Sequence, residues 1–329
     1  MNSISSYFTA FEGKKVLVLG DVMLDSYIRG DVQRVSPEAP VPIVSFTSRD
    51  ERLGGAANVA LNLVALGAKP ILCSIIGNDE EGKRLLDEAQ NRQVDTAGIV
   101  LVNDRQTTVK TRVIGNNQQL LRVDKEQTND INLDQQEALF QRVEMLISSS
   151  NIDALIFEDY NKGLLTTSLI ERVIALCNAH HVLTTVDPKK INFLAYKNVS
   201  LFKPNLKELK EGLDVQFDFE RGQTFENSVD QLRELLNADL LFVTLSEHGV
   251  YMRSKDIGTY VNAHRRAIRD VSGAGDTVIA VATLCLIAGM SSIEIAEVAN
   301  IAGGLVCEKS GVVSIDLDEL KSEVLRLSL

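Results

Sequence analysis

Short β-branched runs recur along the chain with helix-patterned stretches between them: Lys15–Gly20, Ile71–Gly77, Ala154–Glu158, Leu183–Asp187 and Leu240–Leu245. That rhythm predicts a mainly parallel sheet flanked by helices, since parallel neighbours need a long crossover and a helix supplies it. Ligands of such sheets bind beyond the carboxyl ends of the strands. With 329 residues there is room for one α/β domain, residues 1–329, carrying a small appendage. Two stretches break the rhythm. Residues 26–50 carry Pro37, Pro40 and Pro42, and residues 100–125 alternate in Thr107–Ile114 and Leu120–Val123. Both are expected as extended segments forming a small β lid outside the α/β layers.

The strongest chemical signal is Asp270-Val271-Ser272-Gly273-Ala274-Gly275-Asp276-Thr277, leading into an apolar helix over Val278–Ala288. Small residues let backbone N–H groups converge on an anion at a helix N-terminus, with the helix dipole in support. A carboxylate at Asp276 could then take the proton of an attacking hydroxyl, although Asp is equally at home as a helix-start residue. A second glycine pair opens another helix, Gly54-Gly55-Ala56-Ala57-Asn58. There the backbone can approach a polyol, and Asn58, off the apolar stripe, can bond a hydroxyl; close helix packing is the plainer account. Asp21 and Asp25 follow the first run, where Asp25 could grip sugar hydroxyls or be a solvated loop acid.

In Lys203-Pro204-Asn205-Leu206-Lys207-Glu208 an amide and a carboxylate stand three residues apart. They suit magnesium held partly through water, or a capping box, and the two are compatible. Gly77–Lys83 fits GxxxxGK, but Arg84 stands where a Ser or Thr should reach magnesium, so no P-loop is expected. The four histidines show no metal-ligand spacing.

A formal charge of −11 excludes the broad basic surface of a nucleic-acid binder, so an anionic substrate must meet a local cation cluster. Four separated cysteines read as buried free thiols of a reducing compartment. Without an apolar leader or an 18-residue apolar span, a cytoplasmic location is expected, with no membrane partner.

The two glycine motifs, in this order and more than 200 residues apart, resemble the signatures of the ribokinase-like (PfkB) carbohydrate kinase family. The NxxE-like Asn205–Glu208 and the stretch Thr244–Gly249 fall in family order between them. Gly20–Asp25 followed by Arg34–Pro42 narrows the likeness to the D-glycero-β-D-manno-heptose 7-phosphate kinases, as do Thr111–Val113, Asn117–Arg122, Asp159–Gly163 and Asp187–Lys189.

The resemblance implies a ribokinase-like fold and ATP-dependent phosphorylation of a sugar phosphate, giving the 1,7-bisphosphate. It implies Asp276 as base, with Gly273, Ala274 and Gly275 as anion cradle. Sugar would lie near Asp25, Gly54, Gly55, Asn58, Arg112, Asp159, Lys162 and Lys189. Nucleotide would lie near Asn205, Glu208, Ser246, Glu247, Gly249 and Asn300, with Mg2+ at Asn205 and, through water, Glu208. Two departures stand out. Glu158 occupies a place usually held by a small residue, and Gly311–Ser314 follows the family's C-terminal turn only loosely, which leaves a monovalent cation open. An edge strand in 100–125 favours a homodimer. A kinase for ribose, fructose or a fructose phosphate, and a catalytically silent sugar- or nucleotide-binding regulator, remain alternatives.

Overall fold

The computed structural model describes residues 4–327. In chain order the strands are β1 (Lys15–Gly20), β2 (Val22–Val35), β3 (Pro42–Gly55), β4 (Lys69–Gly77), β5 (Asp95–Val102), β6 (Val109–Gly115), β7 (Gln118–Lys125), β8 (Ala154–Glu158), β9 (Leu183–Asp187), β10 (Leu201–Phe202), β11 (Leu240–Thr244), β12 (Val250–Arg253) and β13 (Gly258–Val261). Among the described residues they form a nine-stranded sheet, β13-β12-β11-β10-β9-β8-β1-β4-β5, and a four-stranded sheet, β3-β2-β6-β7. The large sheet is parallel from β5 to β11 and closes with the antiparallel β12 and β13.

Helices cover both faces of that sheet, so its central strands are apolar on both sides. In β1, Val16 and Val18 face a core shared with the helices Ala56–Ala65, Ala274–Ile287 and Ser292–Cys307. Leu17 and Leu19 face the opposite core, packed by the helices Leu133–Ser149, Thr167–Ala179 and Gln223–Leu236. The period of two in a strand makes this division, and the apolar run follows from it.

The lid departs from its expected bounds. β2 and β3 begin and end inside the body, at Val22 and Gly55, so they are longer than residues 26–50. Residues 100–102 belong instead to β5, because Val100, Leu101 and Val102 pair with Ile75, Ile76 and Gly77 of β4. The apolar helix also starts earlier than Val278: Gly273 takes φ 78°, a left-handed value suited to glycine, and helical residues run from Ala274. The rejected P-loop is a plain helix start in which Asp79 accepts from the Gly82 N–H.

One buried side chain ties three segments together. The Asn62 Oδ1 accepts from Thr277 Oγ1 and from the Ile315 N–H, each at 3.0 Å, and its Nδ2 donates to the Asn58 carbonyl. The cysteines at 73, 177, 285 and 307 are free and buried. No helix among the described residues is long and apolar enough to cross a membrane.

Candidate active site

Asp276 is the third residue of its helix and is buried. Asn58 Nδ2 donates to its Oδ2 at 2.7 Å, and the Tyr160 hydroxyl donates to its Oδ1 at 3.0 Å. Burial pushes the Asp276 carboxyl up to about 6, with Asp187 adding to the rise and Asn58, Tyr160 and Lys203 opposing it. It is therefore ionised at neutral pH yet a stronger base than an exposed aspartate. Asn58 is buried, with its amide turned onto this carboxylate.

The cradle expected from the sequence lies at this helix start. The Ala274 N–H is turned back onto the Val271 carbonyl at 3.3 Å, so of the three small residues Gly275 offers the closest open approach. A Cβ built on Gly275 would lie 3.5 Å from Asp187 Oδ2 and 3.7 Å from Lys203 Nζ. Lys203 is itself buried and pairs with Asp187 at 2.8 Å.

Two cavities flank this point. One, of about 480 Å³, lies under the lid and touches Asp25, Tyr27, Arg52, Asn58 and Val312–Ser314. The other, of about 630 Å³, is lined by Ser246, Glu247, Gly249, Ala274, Gly275 and Asn300, among others. Asn58 on one side and Gly275 on the other bracket Asp276.

Under the lid, Asp25 lies within β2 and is not a loop acid; it pairs with Arg112 of β6. Gly54 is opposite Met23, and a Cβ there would stand 2.6 Å from Asp25 Oδ2, so glycine makes room for that carboxylate. Gly55 takes φ 62° at the start of the helix Ala56–Ala65, and the Ala56 N–H bonds to the Asp21 carbonyl at 3.0 Å. Arg52, not singled out from sequence, and Arg112 each hold a guanidinium 5.2 Å from the Tyr27 ring centre.

The turn after β8 is anchored inward. Asp21 accepts from the Tyr160 and Lys162 N–H groups; burial and the nearby Asp159 raise its carboxyl to about 6 against those donors. Asp159 is buried, accepts from Tyr196 Oη and the Asn161 N–H, and does not line the cavity under the lid. Lys162 pairs with Glu126 at 2.8 Å. Lys189 does not join Arg112 and Lys162. It pairs with Glu208 on the opposite side, also facing Asp187, and although burial works against it these acids hold its ammonium above the usual range.

Glu208 and Asn205 form a reciprocal capping box, with Asn205 Oδ1 accepting from the Glu208 N–H at 2.8 Å and Glu208 Oε2 from the Asn205 N–H at 2.9 Å. Each carboxylate oxygen keeps a lone pair for a metal-bound water, which fits water-mediated magnesium. Asp270 Oδ1 and Oδ2 accept from the Ser272 and Gly311 N–H groups, joining the cradle loop to the C-terminal turn. Tyr160, Asp187 and Lys203 carry no role readable from their own segments; their position at or just past strand ends was the available signal.

A lidded α/β body with two cavities that reach Asn58 and Gly275, on either side of a buried helix-start carboxylate, is the layout of a sugar kinase of ribokinase-like fold. Residues 14–319 match the pfkB family carbohydrate kinases, and the chain belongs to that family. Family membership brings ATP as phosphoryl donor with a divalent metal. "Bifunctional protein HldE" of Helicobacter pylori (strain HPAG1) is 41% identical over 309 residues, 93% of this chain and 65% of that protein. "Bifunctional protein HldE" of Methylobacillus flagellatus is 40% identical over 309 residues, 94% and 63% respectively. The chain thus spans less than two thirds of the length of these curated relatives. Phosphofructokinase-2 from Escherichia coli in complex with potassium superposes with a TM-score of 0.79 at 20% identity, covering 97% of this chain and 100% of that one. Arabidopsis thaliana ribokinase complexed with ribose and ATP gives 0.69 at 18% identity, covering 94% and 98%. These two share the fold.

Proposed function

We propose that the enzyme moves the γ-phosphoryl of ATP to the anomeric hydroxyl of D-glycero-β-D-manno-heptose 7-phosphate, giving the 1,7-bisphosphate, with Asp276 as base. The observation that supports this reading is that Asp276 has one donor on each oxygen and that Asn58 and Gly275, its neighbours, line one cavity each. Each oxygen keeps a second lone pair, so the carboxylate is aimed without being blocked. As the sugar oxygen bonds to the γ-phosphorus, its proton passes to Asp276 and ADP departs with the bridging oxygen. The N–H groups of Gly273 and Gly275 would meet the charge on the moving phosphoryl, the Ala274 N–H being held by Val271. Magnesium, bound through water at Glu208 beside Asn205, would neutralise phosphate charge. Ser246, Glu247, Gly249 and Asn300 would line the nucleotide, with Lys189 near its phosphates.

The sugar would lie beneath the lid against Asp25, Gly54, Gly55 and Asn58. Its remote phosphate would meet Arg112 and Lys162, with Arg52 joining them across Tyr27, by exchanging present carboxylate partners for a dianion. Two lids would pair in a homodimer through the exposed β7 edge. ATP consumption measured across phosphorylated and plain sugars tests this, with fastest turnover expected on the heptose 7-phosphate. A preference for unphosphorylated sugar would return the reading to another kinase of the family, and no turnover on any sugar would favour a silent binding protein.

A further inference from the structure

Glu158 closes β8 and is 1% exposed. One carboxyl oxygen from each of Glu158, Asp187 and Asp276 lies within 4.8 Å of the others. The Glu158 Oε2 is buried and has no hydrogen-bond partner. An ionised carboxylate left without donors in such a place is costly, whereas a neutral acid is tolerated.

The nearby cations are already matched. Lys203, after β10, pairs with Asp187 of β9, and Lys189, after β9, pairs with Glu208. Glu158 and Asp276 are then two adjoining carboxyls with no ammonium of their own, and such a pair gives up its protons in separate steps. Donors decide which ionises first. Asp276 receives the Asn58 amide and the Tyr160 hydroxyl, and Glu158 Oε2 receives none.

We infer that Glu158 keeps a proton in the resting enzyme, and that its neutrality leaves Asp276 as the ionised member of the pair. Burial first, then Asp187 and Asp276, drive its carboxyl well above the ordinary range against Lys203 and Lys189. Tyr160 and Tyr196 also face the cluster, both with phenols raised chiefly by burial, so neither adds a charge near neutrality. The unusual residue at the end of β8 therefore adds bulk and a proton to the floor without adding charge beside the phosphates.

The link to catalysis rests on Asp276 being the base; the protonation does not, and the experiment separates them. Protein labelled with carbon-13 at the glutamate side-chain carboxyl is examined by infrared spectroscopy at pH 8. An isotope-shifted carbonyl band of a neutral carboxylic acid is expected in the wild type and its loss in Glu158→Gln. Absence of the band, or its persistence in the variant, overturns the inference. In the kcat/KM profile, Glu158→Gln should keep the acid limb near 6, because the amide replaces a group that was already neutral. A downward shift of about one unit or more would mean that a negative charge had been removed, and would overturn it too. If the band behaves as expected while Asp276→Asn stays active, Glu158 keeps its proton and only the base assignment falls.

Discussion

The floor of the site and the lid above it are built from the same kinds of residue in opposite states. On the floor, Asn58, Tyr160, Asp187, Lys203 and Asp276 are largely buried and already joined to one another. In the lid, Arg52, Arg112, Asp25 and Asp50 pair in partial contact with water, and β7 is exposed from Gln118 to Asp124. A group fixed before substrate arrives loses little by reorganising, and that is where the proposed chemistry lies. A group that can exchange its partner suits recognition, and the lid holds those.

This contrast is most directly broken at Asp276. Asp276→Asn should leave fold and nucleotide binding intact while kcat falls by ~10²–10⁴, the usual worth of a positioned base. Steady-state kinetics with a binding titration check this, and a variant keeping most of its kcat would remove the residue from that role. Next comes Gly275→Val, whose side chain would reach toward Asp187 and Lys203; kcat should drop on the order of 10²-fold with circular dichroism unchanged. Near-normal turnover would make the turn merely structural.

Lid changes should act on binding instead. Arg112→Ala should raise KM for the sugar phosphate by roughly 10-fold or more, as loss of a charge-assisted contact does, with KM for ATP little altered. Equal rises in both would place Arg112 outside the substrate contacts. The smallest effect is expected from Tyr160→Phe. Removing a donor to the ionised form raises the pKa of the base above its value of about 6, so the acid limb of kcat/KM should move upward while kcat at pH 8 falls only several-fold. An unmoved or lowered limb would detach Tyr160 from the base.

The same contrast explains what could be read from sequence. β1, β8 and β9 keep the bounds of the runs read from the sequence, because strands covered on both faces are buried along nearly their whole length. The lid strands have water on much of both faces, so composition does not mark their limits, and β2 and β3 ran further than the prolines suggested. The two glycine motifs marked Asp276, the proposed base, and the start of its helix, since small residues next to Asp carry a local backbone requirement. The charge cluster behind them was not legible. Glu158, Asp187 and Lys203 lie in separate strand ends, and only the parallel register of β8, β9 and β10 brings them side by side.

Asn62 gives the floor a built-in clock. Its single carbonyl oxygen is shared by the hydroxyl of Thr277, next to Asp276, and by the Ile315 amide, which follows a cavity-lining segment. That amide cannot trade its hydrogen for deuterium until the helix carrying Asn62 parts from the C-terminal segment, so its exchange rate reports how often the floor comes undone. Ligands that lock the helix pair together should slow this one amide along with the global unfolding rate, whereas ligands that touch only the lid should leave its rate unchanged.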